Sequence, residues 1–356
     1  MAMNRPALRH WLIGLALSLA VAWAAGALFL DTVQPLALDP SVGRYVAMPG
    51  TTTHTRVEGF ATSRVGEHGI RGLPGGKLPQ GPKVVFWGDS FVEGLQVDDA
   101  GRMAQVFTRL AHQAGADLFG VGIGTGGDSL IDSIFKVTDY AQALGPVRLH
   151  VFVLGSMSNV LPDAPKACRA AFFSGPPPRL EQRLCPPSER SLRLAPWLRD
   201  LELQGAFAAY RRALDISLRL APGPTPAHQA LQPPPTPYGH ETAWDYLNRR
   251  ILAASGNHAL LVYAPSLPRL LEGKVSTDDN AALYVEAYAQ SCVRSGIPFL
   301  NLTPALAAHF QATGRLPHGF FNSPPGFGHL NEDGHRLAAE AVLQYVKEHR
   351  NALLAP

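Results

Sequence analysis

The chain has 356 residues, 46% of them hydrophobic and 17% charged, and a formal net charge of +3. This composition is typical of a globular protein with enough apolar material for one large α/β domain or two ordinary ones. The mild charge and the lack of a dense Lys/Arg block interleaved with aromatic residues exclude nucleic acid as an expected partner.

The first predicted element is the apolar segment 11–30, which contains no charged residue. Twenty residues at 1.5 Å rise cover a hydrocarbon core of ~30 Å, so the segment is long enough to span a membrane. Arg5 and Arg9 before it and Asp31 after it predict a cytoplasmic amino terminus, with the rest of the chain outside the cytoplasm. Small-residue triplets in its second half also fit a cleaved signal peptide. Residues 1–31 are therefore predicted to be an anchor or signal segment, with the anchor preferred.

Residues 32–80 show weak periodicity and are predicted to be an extended lead-in, after which strand and helix patterns alternate. The predicted strands are 83–87, 117–121, 147–154, 259–264 and 298–302, and the predicted helices are 103–114, 130–144, 241–254, 279–295 and 332–349. This alternation indicates a parallel sheet. A Pro-rich insertion at about 160–240 interrupts it. We expect an amphipathic helix near 197–220 within the insertion to pack over the carboxyl edge of the sheet, using Trp197, Leu201, Phe207 and Tyr210.

Two short motifs carry the candidate chemistry. The first predicted strand ends in Gly88-Asp89-Ser90, and His329 stands just before the last predicted helix. A buried strand that stops at small residues places a serine hydroxyl at the carboxyl edge of an open sheet, where α/β folds assemble their sites. A serine and a histidine brought together there would support acyl transfer through a covalent serine intermediate. The alternative is a tight turn that Asp89 or Ser90 merely caps.

These motifs, together with the flanking stretches 69–72 and 93–99, resemble the SGNH (GDSL-type) hydrolase superfamily, specifically its membrane-attached bacterial branch. The resemblance covers most of residues 65–350. It implies a three-layer α/β/α sandwich with a parallel sheet of flavodoxin-like organisation over residues 81–356. It also implies a serine hydrolase or acyltransferase without a cofactor, in which Ser90 is the nucleophile and His329 the base.

The resemblance further implies a substrate and a location. Members of this kind act on acyl groups of cell-envelope polysaccharides, so O-acetyl esters on envelope or secreted glycans are the expected substrate. The expected location is the bacterial inner membrane, crossed once, with the catalytic domain in the periplasm. The expected partners are thus an acylated glycan, or another small ester, and the membrane itself.

The oxyanion donors implied by the resemblance are the backbone N–H groups of Ser90 and Gly127 and the side-chain amide of Asn159. Gly124 is the alternative to Gly127, and a flexible Gly-rich turn is the non-catalytic interpretation. Asn159 stands two residues after the position where the family has its asparagine. It is equally well explained as a residue that satisfies a turn.

The family also places an aspartate two or three residues before its histidine, and here those positions hold Gly326 and Phe327. The sequence therefore predicts a Ser90–His329 dyad in which a backbone carbonyl orients the imidazole, with slower turnover than a full triad. His335 is expected to cap or pack the last helix.

Two other functions remain open at this point. One is a lipase or thioesterase with an apolar acyl pocket. The other is a catalytically degenerate glycan-binding or scaffold protein, which a separation of more than about 3.2 Å between the Ser90 hydroxyl and the imidazole would favour. Of three cysteines, Cys168 and Cys185 could form a disulfide and Cys292 is expected to be a buried apolar residue. No CxxC or HExxH spacing indicates a metal site.

Overall fold

The computed structural model describes residues 5–29, 31–161, 170–173, 177–182, 185–200, 240–271, 273–324 and 326–349. Its strands are β1 (Leu36–Asp39), β2 (Arg44–Ala47), β3 (Thr52–Thr55), β4 (Ala61–Arg64), β5 (Lys83–Gly88), β6 (Phe119–Gly124), β7 (Val147–Leu154), β8 (Ala171–Phe173), β9 (Arg179–Glu181), β10 (Ala259–Tyr263), β11 (Arg269–Leu271), β12 (Lys274–Ser276) and β13 (Phe299–Asn301). Its helices are α1 (Arg5–Phe29), α2 (Ser90–Glu93), α3 (Met103–Gln113), α4 (Leu130–Leu144), α5 (Glu189–Asp200), α6 (Glu241–Ser255), α7 (Ala282–Arg294), α8 (Thr303–Thr313) and α9 (Glu332–Glu348).

The central sheet has five strands in the order β6-β5-β7-β10-β13, and every neighbouring pair is parallel. Counted along the chain, this is the order 2-1-3-4-5 of flavodoxin-like folds. The chain leaves β5 for the sheet edge at β6 and then returns to the other side of β5 at β7. Such a reversal opens a crevice at the carboxyl ends of these strands, which is where the sequence places Ser90.

Helices cover both faces of the sheet, as the three-layer prediction requires. Helices α4, α6 and α7 pack on one face, where Trp87, Phe152 and Tyr263 point into the core. Helices α3, α8 and α9 pack on the other face, against Phe86 and Val151. Because successive strand side chains point to opposite faces, a strand buried on both sides must be apolar throughout, which explains the continuous apolar run in β5. The fold class is confirmed.

Most predicted elements of this sheet are observed within a few residues of their expected ends. Strand β6 begins at Phe119 rather than at 117, and helix α8, which was not predicted, follows β13 directly. In the insertion, helix α5 is described as far as Asp200, so the expected helix at 197–220 lies almost wholly outside the described residues, as do Leu201, Phe207 and Tyr210. Trp197, expected to be buried, is 65% exposed.

The lead-in is not simply extended. Strands β1 and β2 form one antiparallel hairpin and β3 and β4 form another. The second hairpin is attached to the segment after α2, since Asp98 accepts a hydrogen bond from the Thr62 N–H (2.8 Å) and Asp99 accepts one from the Ser63 hydroxyl (2.8 Å). The loop that joins β3 to β4 is thereby brought to the carboxyl edge of the sheet.

Helix α1 contains the one segment of the described residues that is long and apolar enough to cross a membrane, at Leu8–Ala25, and this segment is not buried against the rest of the chain. A signal sequence meets the same criterion, so length and composition alone do not separate the two. Cys185 is disulfide-bonded, while Cys168 lies outside the described residues. Cys292 is a free and fully buried thiol, as expected.

Candidate active site

Ser90 is the first residue of the one-turn helix α2, directly after β5. Asp89 caps this helix by accepting a hydrogen bond from the Phe91 N–H (2.9 Å), and Gly94 ends it in the left-handed conformation. A side chain at position 88 could not fit, because a Cβ there would come within 2.7 Å of Val92. The Gly-Asp-Ser sequence therefore makes a sharp strand-to-helix turn possible and holds the serine at the crevice.

The structure brings His329 to Ser90. The imidazole Nε2 lies 2.8 Å from the Ser90 Oγ, within hydrogen-bond distance. His329 stands in the loop before α9, whose start is capped by Asn331 through its contact with the Asp333 N–H (3.0 Å). The distance meets the geometric requirement for a base that takes the serine proton, and it removes the reason for preferring a degenerate site.

The third member of the site is Glu58, which the sequence analysis missed. One carboxylate oxygen of Glu58 lies 2.7 Å from His329 Nδ1, and the other accepts the backbone N–H of His329 at 2.7 Å. The prediction of a dyad oriented by a backbone carbonyl was therefore wrong. A carboxylate on Nδ1 fixes the tautomer that leaves Nε2 free to accept a proton, and it stabilises the imidazolium that forms.

The electrostatics of Glu58 favour the charged form. Burial alone would raise its pKa, but the hydrogen bonds from the ring and the backbone N–H of His329 outweigh this and hold the pKa below its ordinary value. Glu58 is consequently ionised wherever the imidazole can act as a base.

Contacts between two loops position Glu58. It lies between β3 and β4, and Asn322, in the loop before His329, binds this turn by accepting the Gly59 N–H (2.8 Å) and donating to the Arg56 and Gly59 carbonyls (2.8 and 2.9 Å). Gly328 leaves room for the carboxylate, since a Cβ there would lie 2.3 Å from Glu58. Glu58 and His329 are 271 positions apart in the chain, and this separation gives no sequence signal for their pairing.

The turn after β6 lies beside Ser90. The Cβ of a side chain at Gly126 would come within 3.9 Å of the Ser90 Cβ, and the next residue, Gly127, has a positive φ of 80°. Within the described part of the chain, the N–H groups of Ser90 and Gly127 donate to no protein acceptor. By contrast, Gly124 packs tightly against α2. The arrangement leaves unused N–H donors next to the serine, which is what an oxyanion site requires.

Asn159 lies in the turn after β7, and its side-chain amide donates a hydrogen bond to the Asp89 carboxylate. One of its two N–H groups is thus used to connect the turns that follow β5 and β7. Burial is the main cause that raises the pKa of Asp89, and the nearby Asp128 adds to it. The hydrogen bond of Asn159 is made to Asp89, the residue before the nucleophile, and it holds the two turns together.

A cavity of about 280 Å³ with both polar and apolar walls lies on the other side of α2. Glu93 lines it, accepts the N–H of Gly126 (2.8 Å) and lies 3.9 Å from the guanidinium of Arg71. Lys136 and Asp128 form an ion pair in the same wall. Paired charges therefore form one part of the wall, and apolar side chains such as Ile70 and Ile123 form another.

His335 packs inside α9 rather than joining the site. Its Nδ1 accepts the N–H of Met103 (3.3 Å), and burial lowers its pKa to about 3. In the part of the chain that the structure describes, no group of three or more His, Cys, Asp or Glu side chains is arranged to hold a metal ion.

Comparison with known proteins adds little to this geometry. No family model matches the chain, and no curated protein does. Among solved structures it is similar to the acetyl xylan esterase AlAXEase, with 14% identity and a TM-score of 0.40 over 74% of this chain and 99% of that one. The lipase/acylhydrolase from Enterococcus faecalis gives 11% identity and a TM-score of 0.41 over 76% and 97%. A member of the lipolytic protein G-D-S-L family from Veillonella parvula has 11% identity and a TM-score of 0.36, over 75% of this chain and 99% of that one.

The chain resembles the SGNH hydrolases. That resemblance is carried by Gly88-Asp89-Ser90 at the end of the first sheet strand and by His329 before the last helix. Matches at these low identities and TM-scores carry no argument of their own about its activity. The chemistry follows from the Ser90, His329 and Glu58 side chains.

Proposed function

We propose that this chain is a membrane-anchored serine esterase or acyltransferase that works through an acyl-enzyme on Ser90. The observation that supports it most directly is the continuous hydrogen-bonded series Ser90–His329–Glu58, with both links between 2.7 and 2.8 Å. A nucleophile, a base and a group that orients the base are the three parts that covalent acyl transfer needs.

The reaction would proceed in two steps. His329 Nε2 takes the proton of the Ser90 hydroxyl as its oxygen attacks the ester carbonyl, and then returns the proton to the departing alcohol. Water, or the hydroxyl of a second sugar, next attacks the acyl group by the same route in reverse. The N–H groups of Ser90 and Gly127 would bind the oxyanion in both steps, and the second amide N–H of Asn159 would be a third donor.

Packing around the serine favours a short acyl group over a long chain. The Phe91 ring lies 5.5 Å from the His329 ring and closes one side. The neighbouring cavity of about 280 Å³ has Arg71, Glu93 and Lys136 in its wall beside apolar side chains, and these charged groups are poor partners for an alkyl chain. An acetyl ester therefore fits this site better than a fatty acyl ester.

The substrate and location are proposed on the resemblance together with this packing. Acetyl esters on a cell-envelope or secreted glycan are the substrate class, and the catalytic domain is proposed to lie on the periplasmic side of the bacterial inner membrane. Helix α1 would be the single membrane span, since its Leu8–Ala25 segment is apolar and not covered by the rest of the chain.

The proposal is tested by treating the full chain in detergent with p-nitrophenyl acetate and with a fluorophosphonate probe. Hydrolysis and labelling are expected in the unaltered chain and in Ser158→Ala, an exposed serine in the turn after β7. Both should be lost in Ser90→Ala. Equal labelling of Ser90→Ala and the unaltered chain, or a folded chain without either activity, would contradict the proposal.

A further inference from the structure

Four exposed apolar side chains lie in the loops next to Glu58 and His329, and we call them the rim. They are Val57, Phe60, Phe321 and Phe327, which are 49%, 55%, 85% and 41% exposed. All four lie in the two loops that carry Glu58 and lead to His329. Phe60 and Phe321 also line one surface depression together. Large apolar side chains grouped in this way on a protein surface mark a place of contact with another apolar partner.

The two rim loops are held together rather than free. Asn322 connects them through its bonds to Arg56 and Gly59. The Arg56 guanidinium lies 3.9 Å from the centre of the Phe60 ring, and this fixes the ring at the surface. The rim therefore presents its apolar groups in a fixed arrangement beside the catalytic histidine.

The end of helix α1 is tied to the same place. The Asp31 carboxylate accepts the backbone N–H groups of Arg56 (2.5 Å) and Val57 (3.1 Å). Helix α1 ends at Phe29, two residues earlier, so its end lies within about 8 Å of the Asp31 Cα whatever the direction of the helix. Because Val57 is itself a rim residue and Glu58 follows it, the rim lies close to the point where the chain would leave the membrane.

We propose that the rim contacts the phospholipid bilayer that α1 spans, so that the Ser90 site opens at the level of the lipid headgroups. Apolar and aromatic side chains are favourable at this depth, where they exchange water for the boundary of the acyl chains. The site would then take short-chain esters presented at the membrane surface in preference to esters free in solution. This inference rests on the proposed membrane anchor and deepens the proposed esterase function.

The contact is tested with the full chain in nanodiscs of phosphatidylcholine and phosphatidylglycerol. Phe321→Cys is labelled with an environment-sensitive NBD dye, and spin-labelled phospholipids serve as quenchers. The matched control is Val293→Cys, 70% exposed at the far end of α7. Native Cys292 is fully buried and should stay unlabelled. The expected result is a blue-shifted emission at position 321 that the spin-labelled lipids quench, with unshifted and weakly quenched emission at position 293.

Equal, weak quenching at both positions would overturn the proposal. So would a blue-shifted probe at position 321 that lipid does not quench, because another protein segment would then cover the rim. A chain that does not enter nanodiscs would contradict both the anchor and the rim contact. Hydrolysis of p-nitrophenyl acetate in the same nanodiscs tests the esterase separately. Lipid contact without hydrolysis supports the membrane contact of the rim and contradicts the esterase function. Hydrolysis without lipid contact supports the esterase function and contradicts the membrane contact.

Discussion

At the scale of single residues, the site depends on which nitrogen of His329 carries a proton. The Glu58 carboxylate can only accept hydrogen bonds, so its contact with Nδ1 requires a proton there and leaves Nε2 as the acceptor for the Ser90 hydroxyl. The backbone N–H of His329 on the other carboxylate oxygen fixes the position of Glu58. One side chain thus sets both the tautomer and the orientation of the base.

The first prediction concerns Glu58→Gln. Its amide oxygen can keep the bond to the His329 N–H, but its NH2 group would then face Nδ1 and favour the wrong tautomer. We expect kcat to fall by about 10²–10⁴-fold on p-nitrophenyl acetate, with a smaller change in KM. Steady-state kinetics measure this.

Glu67→Gln is the matched control for this substitution. Glu67 is an exposed glutamate of the lead-in, and it accepts the Leu78 N–H (2.8 Å) away from the site. The kcat of Glu67→Gln should therefore equal that of the unaltered chain. Glu58→Asp should recover part of the lost rate because it restores an acceptor-only group. Full activity in Glu58→Gln would show that Glu58 does not orient the base.

Sequence could predict Ser90 and His329 but not Glu58, for a physical reason. The serine and the histidine each stand at the junction of a strand or loop with a helix, and such junctions leave a local pattern in the chain. Glu58 has no such pattern: it is a single glutamate in a short loop with no motif around it. Its role depends on two tertiary contacts, one with His329 and one through Asn322.

At the scale of elements, the hairpin β3–β4 acts as part of the site. The loop between its strands supplies Glu58, and Asn322 holds that loop with three hydrogen bonds to the backbone of Arg56 and Gly59. A catalytic carboxylate carried by a loop needs such support, because a small displacement of the orienting group weakens catalysis.

The second prediction therefore concerns Asn322→Ala. We expect kcat to fall by about tenfold while KM changes little, because the loop loses its connection and Glu58 moves away from His329. The matched control is Asn280→Ala, an exposed asparagine that accepts one hydrogen bond from Arg269 (2.9 Å). Kinetics that were the same in the two variants would mean that the Asn322 bonds are not needed to place Glu58.

The elements that sequence predicted well are the long ones with a clear period. Apolar residues recur at helical spacing through α4 and α6, and β7 is a long apolar run. The ends of all three elements agree with the expected ones. The short strands β1–β4 have only four residues each, too few to show a clear period, so their pairing depends on the tertiary contacts of the lead-in. This is why the lead-in was expected to be extended.

At the scale of the whole molecule, three buried histidines of the described residues lie outside the catalytic series: His150, His318 and His335. Two of them, His150 and His335, have strongly lowered pKa values. His150 stacks on Trp87 and accepts its indole N–H at 3.0 Å, and burial lowers its pKa to about 4. Burial likewise lowers the pKa of His335 to about 3. Both are neutral in the folded chain and become charged only on unfolding.

The third prediction follows from these shifts. Between about pH 6.5 and pH 4 the unfolded chain binds a proton at each of these positions and the folded chain does not, so stability should fall as the pH is lowered. The expected slope is up to about 1.4 kcal/mol per pH unit for each histidine. Denaturant unfolding of the full chain in detergent at several pH values measures it.

His150→Gln provides the variant, because its amide oxygen can still accept the Trp87 N–H while it binds no proton. Its slope should be smaller than that of the unaltered chain by about one proton's contribution. A slope in His150→Gln equal to that of the unaltered chain would contradict the assignment.

The whole molecule combines a flavodoxin-like sheet, a hairpin that completes the site and an apolar helix α1 whose end lies beside that hairpin. The parallel order of the sheet could be predicted, because alternating strands and helices leave few other arrangements. The position of the β3–β4 hairpin could not be predicted, because it depends on single polar contacts such as those of Asp98 with Thr62 and of Asp99 with Ser63.

The most direct test of the central claim is to trap the acyl group on the protein. The full chain is mixed with p-nitrophenyl acetate, quenched in acid before the first turnover ends, digested and examined by peptide mass spectrometry. We predict one added acetyl group on the peptide that contains Ser90, absent in Ser90→Ala and much reduced in Glu58→Gln. Hydrolysis that proceeds with no acetyl group on Ser90 would contradict the acyl-enzyme mechanism.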